Sequence, residues 1–167
     1  MKKTTLLFAF LVTSLFAFAQ NKDVVDIAIG SKDHTTLVAA VKAADLVATL
    51  KSEGPFTVFA PTNAAFDKLP KGTVANLLKP ESKEALAGIL TYHVVAGKLD
   101  AAAVVKAIKD GKGKAVLTTV NGAKLTATLN GKSVILTDAK GGKSKVLVTD
   151  LMGSNGIVHV IDTVLLP

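Results

Sequence analysis

FTVFAPTNAAFDKLP, residues 56–70, changes its hydrophobic period half-way along. Phe56 to Ala60 alternates as a half-buried strand does. Pro61 has a fixed φ and no N–H for a ladder, so the strand ends there. Thr62 or Asn63 carries the short side-chain oxygen that caps a helix start, and the helix behind it takes Phe66 and Leu69 into a core. Pro70-Lys71-Gly72 then breaks the chain again. A strand that runs straight into a short helix places sheet and helix around one core. The expected class is α+β, with a sheet and a helical layer.

Upstream, Leu37, Val38, Val41 and Ala44 recur at helical spacing, with Thr35 or Asp33 as the expected cap. Asp45 to Lys51 continues that helix or starts a second one, and Gly54-Pro55 stops it. Downstream, Pro80 with Glu81 and Glu84 marks a helix start, because the proline φ and the acids suit the positive end of the helix dipole. Leu86, Ile89, Leu90 and His93 share one face of that helix. Asp100 caps a further helix bearing Val104, Val105 and Ile108, ended by Gly111.

From residue 115 onward the pattern is strand after strand: 115–120, 124–129, 133–138, 145–152 and 156–162. Asn121-Gly122 and Asn130-Gly131 read as type I′ hairpin turns, and Gly141-Gly142 as a third turn. The expectation is an antiparallel meander of at least four strands, with the strand at 56–60 paired somewhere in it. In the last strand, His159 and Ile161 point to one face and Val158 and Val160 to the other.

The N-terminus reads as an address. Lys2 and Lys3 precede apolar runs at 6–12 and 15–19, and Ala17-Phe18-Ala19 has small residues where signal peptidase looks. Residues 1–19 are expected to be a removed secretory signal, leaving one domain over 20–167. The apolar run is shorter than the ~20 residues of a spanning helix, and no integral membrane span is expected. The product is then secreted or periplasmic.

Composition narrows the chemistry. The basic residues are 20 lysines, with no arginine, against 13 acidic residues, for a net charge of +7. Arginine is the usual bidentate reader of guanine and phosphate, so nucleic acid is not an expected partner. The absence of cysteine excludes disulfides, thiolate metal sites and a cysteine nucleophile. No Gly-x-Ser-x-Gly elbow, phosphate loop or His-Glu-x-x-His occurs. Ser144 and Ser154 read as turn residues with no histidine placed beside them. His34, His93 and His159 are far apart. His93 and His159 fall in apolar segments, where a packed, hydrogen-bonded role is expected, and His34 reads as exposed near a helix start. Neither metal nor cofactor is expected. Beyond the leader the aromatics are Phe56, Phe59, Phe66 and Tyr92, all in core-like segments. The densest lysines, Lys106, Lys109, Lys112 and Lys114 and then Lys140, Lys143 and Lys145, could form a basic patch for anionic glycans or acidic surfaces. The competing reading is a solvated face that discourages strand-edge aggregation.

FTVFAPTNAAFDKLP (56–70) resembles the first signature of the fasciclin domain family. LTYHVVAGKL (90–99) resembles its central Tyr-His segment, and SNGIVHVIDTVLLP (154–167) its second signature and usual end. The stretch 24–55 resembles its N-terminal helices. The three motifs stand in the family's order and spacing. The resemblance implies a β-sandwich or wedge packed with several helices, and an extracellular adhesion or matrix-associated module rather than an enzyme. A short exported chain with one such domain resembles bacterial relatives.

Carried over residue by residue, the family's adhesion positions fall on Tyr92-His93 and on Asp150-Leu151, where Leu replaces Ile. Thr62, Asn63, His159 and Asp162 are its structural motif positions here. The expected partner is a cell-surface protein or an anionic polysaccharide. The other reading is a carrier of a small apolar ligand such as a carotenoid or lipid, which some relatives bind. Oligomeric state is not encoded in any of these motifs.

Overall fold

The computed structural model describes residues 21–167, so the leader at 1–19 lies outside the described residues. Seven helices and seven strands alternate early and segregate late. Helices α1 (Val24–Ile29), α2 (Thr35–Ala43) and α3 (Val47–Leu50) precede strand β1 (Phe56–Pro61). Then come α4 (Asn63–Asp67), α5 (Thr73–Leu77), α6 (Lys83–Tyr92), β2 (Val94–Ala96) and α7 (Ala101–Asp110). Strands β3 (Lys114–Thr118), β4 (Lys124–Asn130), β5 (Ser133–Thr137), β6 (Lys143–Gly153) and β7 (Gly156–Ile161) complete the chain.

The five late strands form the expected antiparallel meander. β1 joins it beside β7, in parallel, with Phe56 opposite Gly156 and Pro61 opposite Ile161. β2 adds an antiparallel strand beyond β1, so the order is β2-β1-β7-β6-β5-β4-β3. A bridge between Val95 and Thr119 joins the two ends, and the sheet is nearly closed. The parallel pairing and β2 are absent from the sequence pattern. A three-residue strand has no period to read, and a parallel neighbour lies a hundred residues away.

Two cores result. Leu37, Val41, Phe66, Leu86, Leu90 and Val158 pack the helical layer onto one face of the central strands. Phe59, Tyr92, Ile108, Leu117, Leu125, Leu136, Ile161 and Leu165 fill the other side, inside the curved sheet. β7 is buried along its whole length because it lies between them.

Local chemistry accounts for most element ends. Thr62 is the α4 cap, its hydroxyl accepting from Ala65 N–H, and Asp100 caps α7 by accepting from Ala103 N–H. The α2 cap differs from expectation. Ser31 caps a 3-10 turn at Lys32–His34, and neither Asp33 nor Thr35 bonds the α2 start. The acceptor comes from α4 instead: Asn63 Oδ1 takes the Thr36 N–H at 3.0 Å. Pro80 starts a 3-10 turn at Pro80–Ser82 that leads into α6. α5 has no signal in the sequence because its five residues carry no clear stripe.

The turns also depart from the type I′ expectation. Positive φ falls on Gly122 and Gly131 and not on Asn121 or Asn130. Asn130 pairs with Ser133, so Gly131-Lys132 is the loop, with its positive φ first as in a type II′ turn. Asn121 uses its side chain, accepting from Ala123 N–H.

Candidate interaction site

Tyr92 and His93 lie at the end of α6, where the chain turns into β2. Tyr92 has no exposed surface. Its hydroxyl donates to Lys124 O at 2.9 Å and accepts from Ala139 N–H at 3.1 Å. Burial pushes its phenol pKa up, against the Ala139 hydrogen bond, and the Asp138 charge adds to the rise.

His93 is 2% exposed. Leu165 N–H donates to its Nε2 at 3.0 Å, which places the proton on Nδ1, 2.8 Å from Ile89 O. Burial lowers its pKa from 6.5 to about 4. The imidazole is therefore a neutral fastener between α6 and the C-terminal segment. In this conformation a partner cannot touch either side chain, and the pair can act on a binding face only by positioning what lies above it.

His159 faces the sheet's inner side and stacks on Phe59, with ring centroids 5.6 Å apart. Its Nδ1 accepts from Asp150 N–H at 3.3 Å, and its Nε2–H donates to Leu99 O at 2.7 Å. Asp150 has φ +62° and sends its carboxylate to Ala101 N–H at 2.8 Å, a second cap on α7. Leu151 packs partly buried against the helical core. The Asp150-Leu151 step is thus a junction of β6, β7 and α7.

Asp162 sits just beyond β7. Burial opposes its charge, but the Lys145 N–H, the Thr163 hydroxyl and Lys68 hold its carboxyl below the usual range. Asn63 spans α2 and α4, also donating to Lys32 O. His34 is a correction: it is buried, 5% exposed, with Nδ1 2.8 Å from Ser31 Oγ. Its ring closes the 3-10 turn against β1, which the exposed reading did not foresee. Ser144 is also corrected. It is a buried strand residue whose hydroxyl accepts from Thr163 N–H. Among the described residues, His, Asp and Glu form no group of three suited to a metal ion.

The lysines separate by element. Lys106 pairs with Asp110 at 2.6 Å on α7, and Lys109 lies in the last turn of the same helix. Lys112 and Lys140 are exposed in turns. Lys114, Lys143 and Lys145 share the outward face of the meander, as the strand pairing shows. Lys114 lies opposite Thr128, Thr128 opposite Ile135, and Ile135 opposite Lys145. The next row reads Val116, Thr126, Thr137, Lys143. The threonines were not singled out in the sequence. Strand alternation could have found them, since the buried Leu125, Ala127 and Leu136 alternate with them.

An apolar cavity of about 60 Å³ lies among α1, α2, α3, α6 and β1, lined by Val25, Leu37, Val41, Leu50, Phe59 and His93 among others. No helix among the described residues is long and apolar enough to cross a membrane.

The fasciclin domain family model matches residues 32–167. The chain belongs to the fasciclin domain family. Residues 24–31 precede the matched span, although α1 is part of the helical core. Protein sll1483 of Synechocystis sp. is 49% identical over 144 residues, covering 86% of this chain and 73% of that protein. Transforming growth factor-beta-induced protein ig-h3 of Sus scrofa is 40% identical over 145 residues, 86% of this chain and 19% of that one. Among solved structures, a FAS1 domain pair from the insect cell adhesion molecule fasciclin I superposes with a TM-score of 0.59 at 22% identity. It covers 78% of this chain and 43% of the pair. The nearly closed sheet with its helical layer is thus the fasciclin fold.

Proposed function

We propose that this protein is an exported, non-catalytic fasciclin module that attaches cells to a surface, a matrix or each other. The observation that carries this reading is the family match over residues 32–167. The shared fold with a cell adhesion molecule supports it. The leader at 1–19 is removed on export, and one domain, 20–167, reaches the periplasm or the medium. One domain offers one modest face, so firm attachment relies on several copies or a multivalent surface.

The test is attachment of protein-coated beads to intact cells and to their extracted surface material, against uncoated beads. Attachment above background in either case supports the module, and background in both rejects it. A ligand-carrier role is the less favoured reading. The apolar cavity is well below the ~150 Å³ void that holds benzene, so a carotenoid would require α1 to α3 to part from the sheet. Mass spectrometry of organic extracts from purified protein would reveal such a cargo.

A further inference from the structure

The outward face of β3 to β6 is regular and uncovered, and the charged side chains that its strands present there are all lysines. Lys114, Val116 and Thr118 stand on β3. Lys124, Thr126, Thr128 and Asn130 stand on β4, Ser133, Ile135 and Thr137 on β5, and Lys143 and Lys145 on β6. No acidic side chain occurs among them. The residues between them, Ala115, Leu117, Leu125, Ala127, Val134 and Leu136, are buried inward, so the face is fixed by the core.

Lys114 and Lys145 lie in one lateral row, three strand spacings or about 14 Å apart. Lys143 and Lys145 lie about 7 Å apart along β6. None of these three ammonium groups makes an ion pair among the described residues, whereas Lys106 on α7 does. The Thr126 and Thr137 hydroxyls make no hydrogen bond among the described residues, which leaves them free to pair with other hydroxyls.

A depression of about 390 Å³ sits on this face, lined by Thr128, Asn130, Ile135, Lys143, Ser144, Lys145 and Asp162. Its volume is that of a ligand site, but it is open and shallow, which suits a chain laid across it better than an enclosed molecule. Asp162 is its one carboxylate; one oxygen accepts from the Lys145 N–H at 2.9 Å and the other lies 3.6 Å from the Lys68 ammonium, which offsets its charge.

We propose that this face binds anionic polysaccharide, a chain carrying carboxylate or sulfate groups, seated between Lys143 and Lys145 and running across the threonine rows toward Lys114. This rests on the adhesion reading and names its partner. Lysine ammoniums supply point charges that attract carboxylate and sulfate oxygens without the bidentate fork that would fix their orientation. The threonine, serine and asparagine groups match the hydroxyls of a sugar chain, and Ile135 offers an apolar contact to the sugar's C–H faces. The face has no aromatic ring for stacking, so its affinity depends on charge and falls with salt.

The experiment measures binding of the full exported protein to dextran sulfate, polygalacturonate, neutral dextran and phosphatidylserine vesicles. Two variants of equal net charge are compared: K114E/K143E/K145E on the face, and K42E/K71E/K79E on the helical side. Wild type should bind both anionic polymers, bind neutral dextran at least tenfold more weakly, and lose at least tenfold in affinity on raising salt. The face variant should lose at least tenfold, while the helical variant stays within about twofold, with circular dichroism and melting unchanged in both. T126V/T137V should weaken binding severalfold with the salt dependence unaltered. Equal loss in the two charge variants, absence of polymer binding, or binding to the vesicles alone would overturn the assignment. Bead attachment separates the two readings: a face variant that keeps attaching to cells rejects this partner and leaves the adhesion module standing.

Discussion

His93 shows how much a single buried ring can decide. Its folded pKa of about 4 lies below the 6.5 of an exposed histidine, so the unfolded chain holds the extra proton between those values. Stability from this group is therefore complete above pH 6.5 and is lost as pH falls through 4, for a total of about 3 kcal/mol. In urea unfolding, wild type should weaken from pH 7 to pH 4 by about 3 kcal/mol more than His93→Gln does. An equal pH dependence in the two proteins would remove His93 as the cause. Gly156 is decisive for a different reason. A Cβ there would stand 2.2 Å from Phe56 O, in the parallel seam of β1 and β7. Gly156→Ala should cost about 3 kcal/mol, read as a lower urea midpoint, because two backbones rather than a flexible side chain have to separate.

Between elements, the junction at Asp150 binds three pieces by one residue. Its carboxylate caps α7, its N–H meets His159, and its positive φ turns β6 outside a regular ladder. Asparagine keeps both an acceptor and tolerance of the left-handed region, whereas alanine keeps neither. Asp150→Asn should unfold close to wild type, and Asp150→Ala should be about 2 kcal/mol less stable, measured by denaturant titration. Equal stability of the two variants would mean that the cap carries no weight. The same element logic separates the lysines. Those on α7 sit beside Asp110 or in a helix turn, and those on β3 and β6 are held in rows by strand register.

At the scale of the whole molecule, the C-terminal segment is a lock. Leu165 is fully buried, its N–H bonds His93, and Leu166 N–H bonds Asp138 at 3.1 Å. It joins the helical layer, the curved sheet and the β5–β6 turn at once. Deleting residues 165–167 removes one core leucine, worth ~2–5 kcal/mol on burial arguments, and leaves His93 Nε2 and Asp138 without those donors. The truncated chain should lose a sharp thermal transition and gain amide exchange across α6 and β7. A melting temperature unchanged within about 2 °C would show that the segment is dispensable.

Local pattern in the sequence determined the strands of the meander and the helix starts at Thr62 and Asp100, because these depend on neighbours two to four positions away; the irregular register of β6 was outside its reach. Three motifs in order also carried the family. The positions of lysines along the chain were legible, but their grouping was not. Lys114 and Lys145 meet in one row only through the register of four strands, while Lys106 and Lys109 turn away on a helix. His34 read as exposed because a 3-10 turn has no amphipathic period, and β1 that buries it lies some twenty residues downstream. Tyr92 and His93 read as contact residues by resemblance and as packed residues by their apolar segments, and the second reading holds. Closure of the sheet and arrival of the C-terminal segment put both inside, since a buried hydroxyl and imidazole need partners that only distant backbone could supply.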